Sequence, residues 1–231
     1  MPRRPQTSTG GIVFHVLNRG VRRMQLFDDS EDYCRFLQIT GEAQKRTPVR
    51  CLSYCLMPNH FHMVLWPVED GDLSKFMFWL LTTHSKHWHF RRGTAGTGHV
   101  YQDRFKSFPV FADGHFLRLC RYVERNALRG RLVHRAEDWP WSSLHQRLGH
   151  PRPVHLSNWP VERPPNWFTL VNEDASSETA EVRESIRRGT PMGPPAWRDS
   201  TVALLGLEKT AKPRGRPRKK STKKATPGFF S

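Results

Sequence analysis

The chain is short of acid, short of cysteine and short of long apolar runs. Only 21 aspartates and glutamates stand against 37 lysines and arginines in 231 residues, a formal charge of +16. Such an excess points to a polyanionic partner. No stretch approaches 18 uninterrupted apolar residues, so no membrane-crossing helix is expected and nucleic acid is the leading partner class. The opening "MPRRPQTSTGG" has no apolar segment behind its basic start, so no secretory signal is expected. The four cysteines, Cys34, Cys51, Cys55 and Cys120, form no CxxC pair and lie inside apolar patterns, as reduced core thiols do. A cytoplasmic protein is the expectation.

What is present is a real core: 37% of the residues are hydrophobic and 11% aromatic. "GGIVFHVLNRG" (10–20) alternates Ile12, Phe14 and Val16 against Val13, His15 and Leu17, the mark of a strand ending in a glycine turn. "DDSEDYCRFLQITGEAQKR" (28–46) has the spacing of a helix, with Asp28, Asp29 or Ser30 as its cap. Two β-rich runs, 49–57 and 60–68, are separated only by Pro58-Asn59, which predicts an antiparallel hairpin. A helix over 72–92, a flexible Gly-rich linker, a strand over 105–112 and a helix over 115–131 follow.

The order strand, helix, strand, strand, helix, strand predicts an α+β, ferredoxin-like (RRM-like) sandwich: a central antiparallel sheet with helices packed mainly on one face. Domain limits are expected at 8–150, with a C-terminal extension over 151–208 carrying a short charged helix near 175–189. A basic tail over 209–231 has nine Lys or Arg and no acid, and is expected to be disordered when unbound.

Chemistry concentrates at "MPNHFHMVLW". His60 and His62 are two apart on a predicted strand and so project together, while Phe61 points the other way. Two such imidazoles can hold a metal, or can simply be polar residues on a wet face. On the helix from 115, Phe116, Cys120, Val123 and Ala127 form the buried arc and Arg118, Arg121, Arg125 and Arg129 the far side. Tyr122 and Asn126 stack at the edge between them. His84, His87 and His89 are expected at a solvated, basic helix end, and Trp66, Trp139 and Trp141 in the core.

"YCLMPNHFHMVLWP" followed by "RYVERN" resembles the HUH single-tyrosine transposases of bacterial insertion sequences. More closely, the chain resembles their domesticated branch, the REP-associated tyrosine transposases. The pieces are "FHVLNRGVRR", "MPNHFH", "YQDRFKSF", "CRYVERNALRG", "WPWSSL", "RRGTPMG", "LLGLEKT" and "KPRGRPRKK". The resemblance implies Tyr122 as nucleophile, His60 and His62 as ligands of Mg²⁺ or Mn²⁺, and Asn126 as third ligand where many insertion-sequence members carry Gln. It implies cleavage and rejoining of single-stranded, hairpin-forming repetitive DNA through a 5′-phosphotyrosine, by an enzyme associated with the bacterial nucleoid. Relatives act as monomers or homodimers, so the oligomeric state stays open.

Expected phosphate contacts are Arg19, Arg22, Arg23, Arg104 and Lys106, with Arg214, Arg216 and Arg218 in an AT-hook-like element of the tail. Two rival readings remain at this stage: a catalytically silent DNA-binding regulator, and a metal-dependent nuclease with no covalent step.

Overall fold

The computed structural model describes residues 9–174 and 176–211, and the tail arginines Arg214, Arg216 and Arg218 lie outside them. Four strands, β1 (Val13–Arg19), β2 (Val49–Met57), β3 (His60–Pro67) and β4 (Lys106–Val110), form one antiparallel sheet in the order β2-β3-β1-β4. Their Val, Phe, Tyr, Leu and Met content suits a pleated surface buried on both sides. Pro58 and Asn59 make the tight turn between β2 and β3, as the sequence predicts.

Helices α1 (Ser30–Arg46) and α2 (Asp72–Arg92) complete the ferredoxin-like core. Asp29 caps α1, its carboxylate accepting from the amides of Glu31 and Asp32. Gly93, in the left-handed conformation, ends α2 and donates its amide to the carbonyls of His89 and Phe90. Phe36, Leu37, Ile39, Phe76, Met77 and Leu80 of these helices pack on Phe14, Val16, Tyr54, Leu56, Phe61, Met63 and Leu65 of the sheet. Each such side chain contributes about 1.5–3 kcal/mol by leaving water.

The opposite face is covered too, which departs from the expectation of helices mainly on one side. Helix α3 (Gly114–Glu124) and the short α4 (Asn126–Arg129) lie across it, separated by a break at Arg125 within the predicted 115–131 helix. Phe116, Cys120, Val123 and Ala127 are all fully buried, as their spacing predicts, against Val13, Leu52, Val64, Phe108 and Val110. The C-terminal extension joins this second core. Leu144 of α5 (Ser143–Gln146), Trp167 and Val171 of α6 (Trp167–Asn172) and Val182 of α7 (Ser176–Arg188) pack into it, and Met192 bridges to Val110 of β4. Helices α8 (Pro195–Leu205) and α9 (Glu208–Ala211) finish the described chain. All four cysteines are free thiols.

Candidate active site

Strand alternation sends Phe61 into the α1–α2 core, 5.1 Å from the Phe36 ring, and sends His60 and His62 to the α3 face. The two imidazole rings stand 5.2 Å apart and nearly perpendicular. Helix α3 lays Tyr122 edge-on to His62, with ring centroids 5.8 Å apart. Asn126, one turn on, is buried. Arg129, at the end of α4, places its guanidinium carbon 4.2 Å over the Tyr122 ring. The same guanidinium donates to Asn126 Oδ1 at 2.7 Å.

Electrostatics favour neutral imidazoles here. Burial holds the His60 pKa down at about 4, helped by the charges of Arg129 and Arg19. His62 lies well below its ordinary value, first through burial and then through His15, His60 and Arg129. Neutral imidazole is the metal-ligating form. Among the described residues no three His, Cys, Asp or Glu side chains form a metal-binding group, so a third donor would have to be of another type. Asn126 suits that role: its Nδ2 is buried without a partner, and its Oδ1 is held by Arg129, a removable side chain. The donor set of two imidazoles and an amide oxygen fits Mn²⁺ at least as well as Mg²⁺, which prefers an all-oxygen shell.

Two members of this site escape the sequence reading. Arg129 is no far-side surface charge but the common neighbour of Tyr122, Asn126 and the histidines. Its companions are also not open: Arg118 pairs with Glu181, and Arg121 and Arg125 donate to the carbonyl of Glu173. The other member is His15 of β1, fully buried and hydrogen-bonded to His62. A lone histidine in the apolar run "IVFHVL" beside the HxH strand is the signal that could have found it.

The expected phosphate contacts gather at one end of the sheet. Register puts Arg19 opposite His60, and both His62 and Lys106 opposite Leu17. Arg22 and Arg23 follow Arg19 in a 3₁₀ turn, exposed and in left-handed conformations (φ 51° and 63°) that cost non-glycine residues about 1–3 kcal/mol each. Arg104 and Lys106 are exposed beside them. A cleft of about 670 Å³ opens next to this rim, lined by Lys86, His89, His99, Gln102 and Arg104, with Arg19 donating to Gln102.

His84 is a correction. It is no solvated residue but a core imidazole, 2.7 Å from the Tyr101 hydroxyl. Trp139 and Trp141 pack around Tyr33, in keeping with a core role.

No curated protein matches this sequence. A solved structure of a REP-associated tyrosine transposase bound to a REP hairpin superposes with a TM-score of 0.51 at 20% identity, over 76% of this chain and 95% of that one. At that identity the likeness is one of fold. The family model for IS200-like transposases matches residues 8–126, just over half the chain, from ahead of β1 through the helix that carries Tyr122. By that match, the chain belongs to the IS200-like transposase family.

Proposed function

We propose that this protein cuts and rejoins single-stranded DNA at hairpin-forming repeats, in the manner of the REP-associated branch, with Tyr122 as the nucleophile. The observation that carries the reading is the convergence of Tyr122 on the His60–His62 face, with the two rings of Tyr122 and His62 only 5.8 Å apart. His60 and His62 would hold a divalent cation, with Asn126 as the third ligand once Arg129 releases its Oδ1. Bound there, Mg²⁺ or Mn²⁺ would draw charge from a non-bridging oxygen of the scissile phosphate.

Tyr122 Oη attacks the phosphorus in line and loses its proton to water. The bond from phosphorus to the 3′ oxygen breaks, and that oxygen leaves as a hydroxyl after taking up a proton. The 5′ strand end stays on Tyr122 as a phosphodiester of the phenol. One phosphodiester has replaced another, so the free 3′ hydroxyl can reverse the step or join a new end without a nucleotide triphosphate. Arg19, Arg22, Arg23, Arg104 and Lys106 would grip the strand's phosphates around the site. The hairpin substrate is suggested by the DNA bound to the similar solved structure.

The test is incubation of the full chain with end-labelled single-stranded hairpin DNA and Mn²⁺. A denaturant-resistant protein–DNA adduct is expected, absent in Tyr122→Phe. His60→Ala should lose cleavage to background while keeping hairpin affinity within about twofold. Cleavage that survives in Tyr122→Phe without an adduct would instead indicate a nuclease. Binding with no cleavage at all would indicate a regulator.

A further inference from the structure

His15 serves no step of the proposed reaction, yet it lies at the heart of the site. It is fully buried in β1, and its Nε2 lies 2.9 Å from His62 Nδ1. The two rings are close to parallel, 8° apart with centroids at 5.0 Å. Phe108 packs edge-on against His15 at 4.9 Å, which fixes the ring from the side of β4. The other ring nitrogen of His15, Nδ1, is buried with no partner.

Two neutral imidazoles can share this hydrogen bond in only two ways. If His15 Nε2 carries the proton and donates, His62 must carry its own proton on Nε2, and that nitrogen has no lone pair for a cation. If His62 Nδ1 carries the proton and donates, its Nε2 lone pair is open. His15 then accepts at Nε2 and keeps its proton on Nδ1. Only the second arrangement lets His62 act as a ligand.

We infer that His15 is the positioning residue of His62: a hydrogen-bond partner built into the neighbouring strand that holds the ligand-competent Nδ1–H tautomer by accepting from it and aims Nε2 into the site. The inference rests on the metal-binding reading above. It also gives the unpartnered His15 Nδ1 an account. In the ligand-competent arrangement that atom carries the second imidazole proton and in the other it is a bare lone pair. It lacks a partner either way, so the choice falls to the His15–His62 hydrogen bond and to the cation that takes the Nε2 lone pair. Ligating histidines elsewhere depend on such partners, whose loss weakens metal binding about 10–100-fold.

Calorimetric titration of the full chain with Mn²⁺ alone, together with ring-nitrogen NMR of the Mg²⁺-loaded protein, tests this. His15→Leu removes the acceptor without opening a large void and should weaken Mn²⁺ binding about 10–100-fold, with an unchanged cooperative thermal transition in the metal-free state. His15→Gln returns an acceptor oxygen and should recover part of the affinity. The NMR spectrum of the wild-type protein should place the His62 proton on Nδ1 when Mg²⁺ is bound, a readout that needs no variant to fold. Wild-type affinity in His15→Leu, or a proton on His62 Nε2 in the loaded protein, would overturn the assignment. Wild-type protein that takes up no more Mn²⁺ than His60→Ala would sink the metal reading itself, and this inference with it.

Discussion

Arg129 carries two interactions that a bound cation would disturb. Its guanidinium lies over the Tyr122 ring and holds Asn126 Oδ1, the oxygen proposed as a metal ligand. Its charge also disfavours any further positive charge near His60 and His62. A charge-assisted hydrogen bond is worth roughly 1.5–3 kcal/mol, so freeing Asn126 costs affinity. Arg129→Gln should therefore tighten Mn²⁺ binding by about tenfold, measured by calorimetry, while the protein–DNA adduct forms more slowly. Binding that is unchanged or weaker in the variant would mean that Arg129 supports Asn126 rather than competing for it. The histidine pair was legible because an HxH spacing on an apolar, β-rich run leaves little freedom over which way the rings point. Arg129 and His15 were not. An arginine on a helical wheel looks the same whether it faces water or a tyrosine, and a single histidine in a strand looks the same in a core as on a surface.

At the scale of elements, the apolar packing of the helix that carries Tyr122 is joined by a buried carboxylate two residues later. Glu124 Oε1 accepts from Ser143 Oγ at 2.6 Å and Ser53 Oγ at 3.2 Å, and Oε2 accepts from Trp167 Nε1 at 2.7 Å. One side chain thus ties α3 to β2, α5 and α6, with Arg147 at 3.8 Å as the nearest counter-charge. Glu124→Ala would strand the indole N–H and the arginine together. It should cost about 3 kcal/mol, seen as a fall of roughly 6–12 °C in Tm; a fall of under 2 °C would show that water replaces the carboxylate. Helices α1 and α2 were readable from their caps and periodicity. The part played by residues 151–192 was not, because Trp159, Trp167 and Met192 reach the second core from irregular chain and a one-turn-and-a-half helix, which leave no periodic trace.

Taken as a whole molecule, the protein buries histidine more freely than its basic surface suggests. His15 and His84 have pKa values pressed down to about 3 by burial, and His60 to about 4. In the unfolded chain each would take up a proton near pH 6.5. Between that value and pH 3–4 the unfolded state binds more protons, so stability falls as pH falls, by about 1.4 kcal/mol per pH unit for each fully buried imidazole. Above pH 6.5 these groups contribute no slope. The urea midpoint of the metal-free protein should accordingly drop steadily from pH 6.5 to 4.5, and less steeply in His84→Gln, which keeps a partner for Tyr101. A midpoint that is flat across this range would contradict the buried, neutral state.

The turn at Pro58-Asn59 has a consequence that reaches across the whole sheet. The Pro58 carbonyl accepts from the amides of Leu26 and Phe27, and the Asn59 carbonyl accepts from Gly20. The turn is thereby anchored to the chain that leaves β1 as well as to its own hairpin. Its length acts as the parity of β3. One added residue would slide the strand by half its repeat, presenting Phe61 to Tyr122 and driving His60 and His62 into the packing of α1 and α2. Two residues of loop therefore decide which side of the sheet is able to do chemistry.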